Sequence, residues 1–161
     1  MPLRPFAFWL PLLLAACAGT PEFDTAGVDT AARPQGVARD PQARGTRVFW
    51  GGVIAEIRNL ETVTHIQVIA FPLDAGGRPQ PGAEPQGRFI VERRGFLEPA
   101  KYAPGREVTV VGEVITTLAG RVGQAPYRFP VVRPHQLHLW PVERDTPRSR
   151  LYFGIGIGIH N

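Results

Sequence analysis

Few of the residues that usually carry covalent or redox chemistry occur in this chain. It has a single cysteine, Cys17, in 161 residues, which excludes an intrachain disulfide framework. Its only serine, Ser149, lies in the C-terminal tail, and no G-x-S-x-G occurs, so acyl transfer through a serine or cysteine nucleophile has no candidate. No apolar run reaches the roughly 20 residues of a spanning helix; the longest, near the N-terminus, is interrupted by Pro11. Blocks of like charge are also missing. The charged residues, 20% of the chain, are scattered, so a formal charge of +4 does not by itself imply nucleic acid. Neither Gly51-Gly52 nor Gly76-Gly77 is followed by the G-K-[ST] of a phosphate loop, and both are read as bulge or turn residues.

Present instead is a leader. Arg4 precedes about ten apolar residues that end in Leu14-Ala15-Ala16-Cys17. A basic start, a short apolar core and small residues at a cleavage point form the three regions of a secretory signal. The small-residue triplet ending in cysteine resembles the lipobox of bacterial lipoprotein precursors. That resemblance implies cleavage before Cys17, a diacylglycerol thioether on its sulfur and an acyl chain on the new amine. Residues 1–16 are therefore excluded from the fold, and Cys17 is the expected lipid-attachment site. Ala18 after the cysteine, rather than Asp, resembles the pattern released to the outer membrane.

Residues 17–45 combine the lipidated cysteine with Pro, Gly, Ala, Thr and Asp and show no apolar period, which reads as a flexible tether. A short turn near Val37 could pack on the domain that follows. Strand signals begin near Thr46, in segments rich in β-branched and aromatic residues. They cover residues 47–58, 62–73, 87–94, 108–118 and 127–132, with 137–140 extending the last. In the first, Val48 and Trp50 share one parity while Val53, Ala55 and Ile57 share the other, which predicts a bulge at Gly51-Gly52. Turns are expected at 59–61 and 119–121, a loop at 74–85 and one helical turn within 96–102. Pro130 marks its strand as an edge. Five strands with a long loop after the second and a turn between the third and fourth predict an all-β, five-stranded, OB-like Greek-key barrel over 46–141. An open antiparallel sandwich is the alternative. Residues 142–161 form a linker and a Gly-Ile tail.

The chemical constellations are sparse. His135-x-x-His138 is the nearest approach to a metal pair, yet positions i and i+3 of a strand face opposite sides. His65 and His160 have no cysteine or acidic companions in sequence, so all four histidines read as structural and neither metal nor cofactor is expected. Glu56, Glu61, Glu92, Glu98, Glu107 and Glu113 could supply paired carboxylates for glycoside chemistry, but they occupy ordinary surface positions. Phe49, Trp50 and Phe89 with Arg88, Arg93 and Arg94 could form a stacking platform on a basic groove for single-stranded nucleic acid. Core aromatics and solvated arginines are the preferred reading, and no nucleic-acid partner is expected.

Five segments, VFWGGVI (48–54), ETVTHIQVIAFPLDAGGRP (61–79), GRFIVERRGFLEPAKYAPGREVTVVGEV (87–114), YRFPVV (127–132) and LHLWP (137–141), resemble the Slp family of outer-membrane lipoproteins, named for a starvation-inducible member. The likeness covers about residues 17–141. Its most specific part is GRF…GFL-acid-P…Y…GR-x-VTV-x-G, with Glu98 where Asp is more usual; the Gly-Ile tail falls outside it. The resemblance implies the outer membrane of a Gram-negative-type envelope and no catalytic residues. The expected function is a non-enzymatic outer-membrane lipoprotein held by acylated Cys17, with a structural or stress-associated envelope role. Its partners would be membrane lipid and an unidentified envelope component. The alternative is an envelope module binding a glycan, peptide or lipid, and an enzyme is the third reading. A filled barrel favours the first, an aromatic-lined pocket the second, and two carboxylates facing one cleft the third.

Overall fold

The segments richest in Val, Ile, Thr and Phe become strands, as side chains that fit a pleated, half-buried surface should. A computed structural model describes residues 21–142. Its elements run α1 (Pro34–Val37), β1 (Arg47–Asn59), β2 (Val63–Phe71), β3 (Arg88–Arg94), β4 (Glu107–Val122) and β5 (Ala125–Leu139). The strands close into a barrel in the order β1-β2-β3-β5-β4, with β4 returning to β1. Every pairing is antiparallel except β3–β5, a parallel contact limited to Ile90↔Val131 and Val91↔Val132. This is the OB-type arrangement, and closure excludes the open sandwich.

The interior is packed. Val48, Trp50, Ile54, Ile66, Val68, Phe89, Val91, Val108, Val110, Val114 and Val132 form one buried cluster drawn from all five strands. Trp50 and Phe89 meet at its centre, ring centroids 5.3 Å apart. Burying each large apolar side chain contributes roughly 1.5–3 kcal/mol, so this cluster is the main source of stability. Ile90, Phe129 and Val131 make a smaller cluster with half-buried Ile115, Val122 and Tyr127.

Curvature is introduced elsewhere than the sequence pattern predicted. Register on both neighbours runs unbroken through Gly51 and Gly52, and the β1 bulge falls between Ile54 and Glu56. Val48, Trp50 and Ile54 are buried with Gly52 in the same alternation; beyond the bulge Ile57 packs against the core. Gly52 occupies an inward position without a side chain, so the apolar alternation appeared to break there. Its actual role is close approach: a Cβ at Gly52 would collide with the Ile69 carbonyl, and one at Gly112 with that of Arg133.

The expected turn at 119–121 lies within β4. The strand continues to Val122 and reverses through Gly123-Gln124, where Gly123 takes φ 58°. A two-residue hairpin needs a residue with positive φ, which glycine supplies without a Cβ clash. β5 runs unbroken through Pro126, Pro130 and Pro134, opposite Arg121, Thr117 and Gly112 of β4. Prolines four residues apart direct their missing N–H groups to one side, and here that is the side away from β4. Residues 98–102 make one turn, Lys101 N and Tyr102 N both donating to Glu98 O, without becoming a helix.

The largest departure concerns residues 21–45, expected as tether. They form a strap laid on the barrel, with Pro34, Val37 and Ala43 buried. The Trp50 indole Nε1 donates to Ala32 O at 3.0 Å, and Asp24 pairs with Arg47 at 2.8 Å. Phe23 packs on Phe49, His138 and Trp140. A composition with few apolar residues suffices here because each of those few enters a site prepared by the barrel. The Gly-Ile tail and the leader lie outside the described residues.

Candidate functional site

Among the described residues, three of the places where side chains gather outside the core bear on function. The first is a cleft of about 310 Å³ where the strap crosses the barrel mouth, lined by Asp29, Ala32, Phe49, Phe71, Leu73 and Gln86 among others. It is small, at the lower end of the range for ligand pockets.

The second is the outer wall over β1 and β4, sealed by the loop after β2. Thr109, fully buried, donates its hydroxyl to Gly77 O at 2.7 Å and accepts from Trp140 Nε1 at 2.8 Å. Beside it Arg78 Nε donates to Glu107 Oε2 at 2.7 Å and its guanidinium lies 5.7 Å from the Trp140 ring. His138 stacks edge-on against Trp140 at 4.6 Å, and burial lowers its pKa below the usual imidazole value.

The third is the end of the barrel formed by the β1–β2 turn and the residues after β3. Asn59 ties these together, donating from Nδ2 to Leu97 O at 3.0 Å and accepting from Leu97 N at 3.2 Å. Gly95 N donates to Thr62 O at 2.9 Å, while the Thr64 hydroxyl bonds Gly95 O and Asn59 Oδ1. Above the short β3–β5 contact a groove of about 490 Å³ opens, lined by Thr62, Val63, Glu92, Arg93, Arg94, Arg133 and Pro134.

The residues singled out from sequence are distributed as follows. Cys17 and His160 lie outside the described residues. The aromatics weighed as a stacking platform are placed otherwise: Trp50 and Phe89 are in the core and Phe49 lies beneath Phe23. Arg88 faces Gln67, whose amide bridges it to Glu56, while Arg93 and Arg94 are exposed. Four of the six glutamates have partners among the described residues. Glu56 pairs with Arg58, Glu107 with Arg78, and Glu92 with His65 at 3.0 Å and Arg133 at 3.7 Å; Glu98 accepts from Ala100 N in its own turn. Glu61 and Glu113 are exposed. His135 sits exposed at a β5 bulge and His138 beneath the strap. Among the described residues no three His, Cys, Asp or Glu side chains converge to hold a metal ion. No described helix is long and apolar enough to cross a membrane.

Sequence reasoning missed the union of Arg133 with Arg93 and Arg94, since β3 and β5 are distant in sequence. It also missed that Leu60 and Phe96 stand exposed on neighbouring loops at one barrel end, for which the signal was two apolar residues within polar turns.

Known proteins extend this picture. The chain is 28% identical to Outer membrane protein Slp of Escherichia coli (strain K12) over 152 residues, 92% of this chain and 80% of that protein. It is 31% identical to the Uncharacterized lipoprotein YeaY of the same organism over 102 residues, 63% of this chain and 52% of that one. An Uncharacterized protein of Haemophilus influenzae shares 34% over 91 residues, 56% of this chain and 49% of its own. The chain thus spans about half the length of the latter two. No solved structure matches it. The model of the Outer membrane lipoprotein Slp family matches residues 14–156, past the boundary at 141 drawn from the resemblance and into the Gly-Ile tail. With its matched region running from the residues before Cys17 to the tail, this chain belongs to the Outer membrane lipoprotein Slp family.

Proposed function

We propose that this protein is a non-enzymatic lipoprotein, held at the outer membrane through acylated Cys17, whose barrel serves as a structural element of the envelope under stress. The filled barrel carries the reading, since its interior is occupied by Trp50, Phe89 and valines from every strand. The family match begins at Leu14 and so includes Leu14-Ala15-Ala16-Cys17, the segment that acylation requires. The strap adds a geometric consequence. Only five residue steps separate Cys17 from Glu22, whose carbonyl already accepts from Gln136 Nε2. That stretch spans at most about 18 Å, so the barrel rides close to the bilayer. Three acyl chains, each buried CH₂ contributing ~0.8 kcal/mol, would hold it there without a spanning helix.

Metabolic labelling with a palmitate analogue, followed by membrane fractionation, tests the anchor. Labelled wild-type protein in the outer membrane is expected, with no label on Cys17→Ala; label retained by the variant would refute acylation at this residue. The cleft beneath the strap supports a second reading, binding of a short glycan, peptide or lipid segment against Phe49 and Phe71.

A further inference from the structure

At the barrel end laced by Asn59, two large apolar side chains face solvent on neighbouring loops. Phe96 is 69% exposed and Leu60 49%. Folding gains nothing from this exposure, and the loops that carry them are fixed by the backbone ties of Gly95, Leu97 and Thr62. Behind them Arg93 and Arg94 are exposed and make no ion pair with any described residue, and Arg133 joins them along the groove, 3.7 Å from Glu92 in the same lining. Segments 58–62 and 92–101 with Arg133 carry five basic and three acidic side chains; of the acids, Glu92 lies between His65 and Arg133 and Glu98 bonds within its own turn. A rigid apolar wedge with a basic collar is the chemistry of an interfacial membrane contact, in which the rings enter the headgroup boundary and the guanidinium groups meet phosphates.

We propose that this end is a docking surface for an anionic phospholipid bilayer, with Phe96 and Leu60 inserting and Arg93, Arg94 and Arg133 binding headgroup phosphates. Charge complementarity selects the occupant. An apolar protein partner would use the wedge and leave Arg93 and Arg94 unmatched, whereas a phosphate-bearing bilayer satisfies both parts. The proposal rests on outer-membrane placement and not on acylation of Cys17. It gives the barrel a second, reversible membrane contact that would fix its orientation on the anchor.

The test uses the mature chain from residue 17 with Cys17→Ser, so that no acyl chain contributes. Its binding is measured by co-sedimentation with vesicles of phosphatidylglycerol and phosphatidylcholine, and of phosphatidylcholine alone. Binding to the anionic vesicles only is expected. It should weaken roughly thirtyfold in Arg93→Gln/Arg94→Gln and about tenfold in Phe96→Ser, with Leu60→Ser weaker than wild type and all melting temperatures unchanged. Absence of binding to anionic vesicles, or equal binding by these variants, would overturn the proposal. So would saturation by soluble glycerophosphate with no preference for vesicles, which would make the groove a site for free phosphate. Failure of palmitate labelling would leave this result untouched, so the two readings fail separately.

Discussion

Trp140 and Thr109 are joined by a buried hydrogen bond of 2.8 Å, and through it three remote parts of the chain become one wall. The indole ends the barrel sequence, the threonine sits in β4, and its own hydroxyl proton goes to Gly77 in the loop after β2. A single hydroxyl thus serves one donor and one acceptor, both remote in sequence.

Thr109→Val keeps the shape and removes both bonds. With the Trp140 N–H and the Gly77 carbonyl left unsatisfied, the loss should be about 2–4 kcal/mol. Urea denaturation of the mature chain measures it; Thr109→Ser should retain most of the stability.

Gly52→Ala should be more damaging than its size suggests, because the new Cβ meets the Ile69 backbone carbonyl and not a movable side chain. Overpacking against backbone predicts about 3 kcal/mol or more. Gly82→Ala, with nothing within 4 Å of the added carbon, should change the melting temperature little.

The packing of His138 predicts a pH dependence. Its folded pKa lies below the ordinary 6.5 because of burial, so the unfolded chain takes up the proton more readily. Stability is therefore full above pH 6.5 and declines as pH falls from there towards the lowered folded value. His138→Gln should flatten that decline. Asp24 has a folded pKa held below 3.8, first by the Ala26 backbone N–H and then by Arg47, and acts in a separate window: its contribution is present above 3.8 and is lost at more acid pH. Thermal melts from pH 7.5 to 3 at fixed ionic strength distinguish the two ranges.

Removing the strap should expose its docking sites. A chain beginning at Thr46 loses the buried Pro34, Val37 and Ala43 and leaves the Trp50 indole without Ala32 O. It is expected to melt lower and less cooperatively than the mature protein, with faster amide exchange along β1; an unchanged melting curve would show the strap to be dispensable.

A chain ending at Val142 should melt within a few degrees of the full mature protein. The described core is complete at Trp140, whose N donates to Glu107 O at 2.9 Å. Differential scanning calorimetry decides it, and an unfolded truncation would make the tail part of the fold.

Local composition determined a good deal. The five β-branched segments and the loop at 74–85 were legible because each depends on residues adjacent in sequence. The barrel class followed from strand number and loop order. Tertiary structure alone decided the rest. A glycine in a core position conceals alternation, so the bulge appeared at Gly51-Gly52 when it lies at Ala55. A strand lasts as long as its partner does, so β4 ran past Ala119-Gly120-Arg121 to the turn at Gly123. The strap looked like tether because its few apolar residues have no period of their own and take their order from pockets on the barrel. The union of Arg133 with Arg93 and Arg94 required closure of the sheet through the β3–β5 contact, and the approach of the loops that carry Leu60 and Phe96 required the pairing of β2 with β3, in which Val63 lies opposite Arg94.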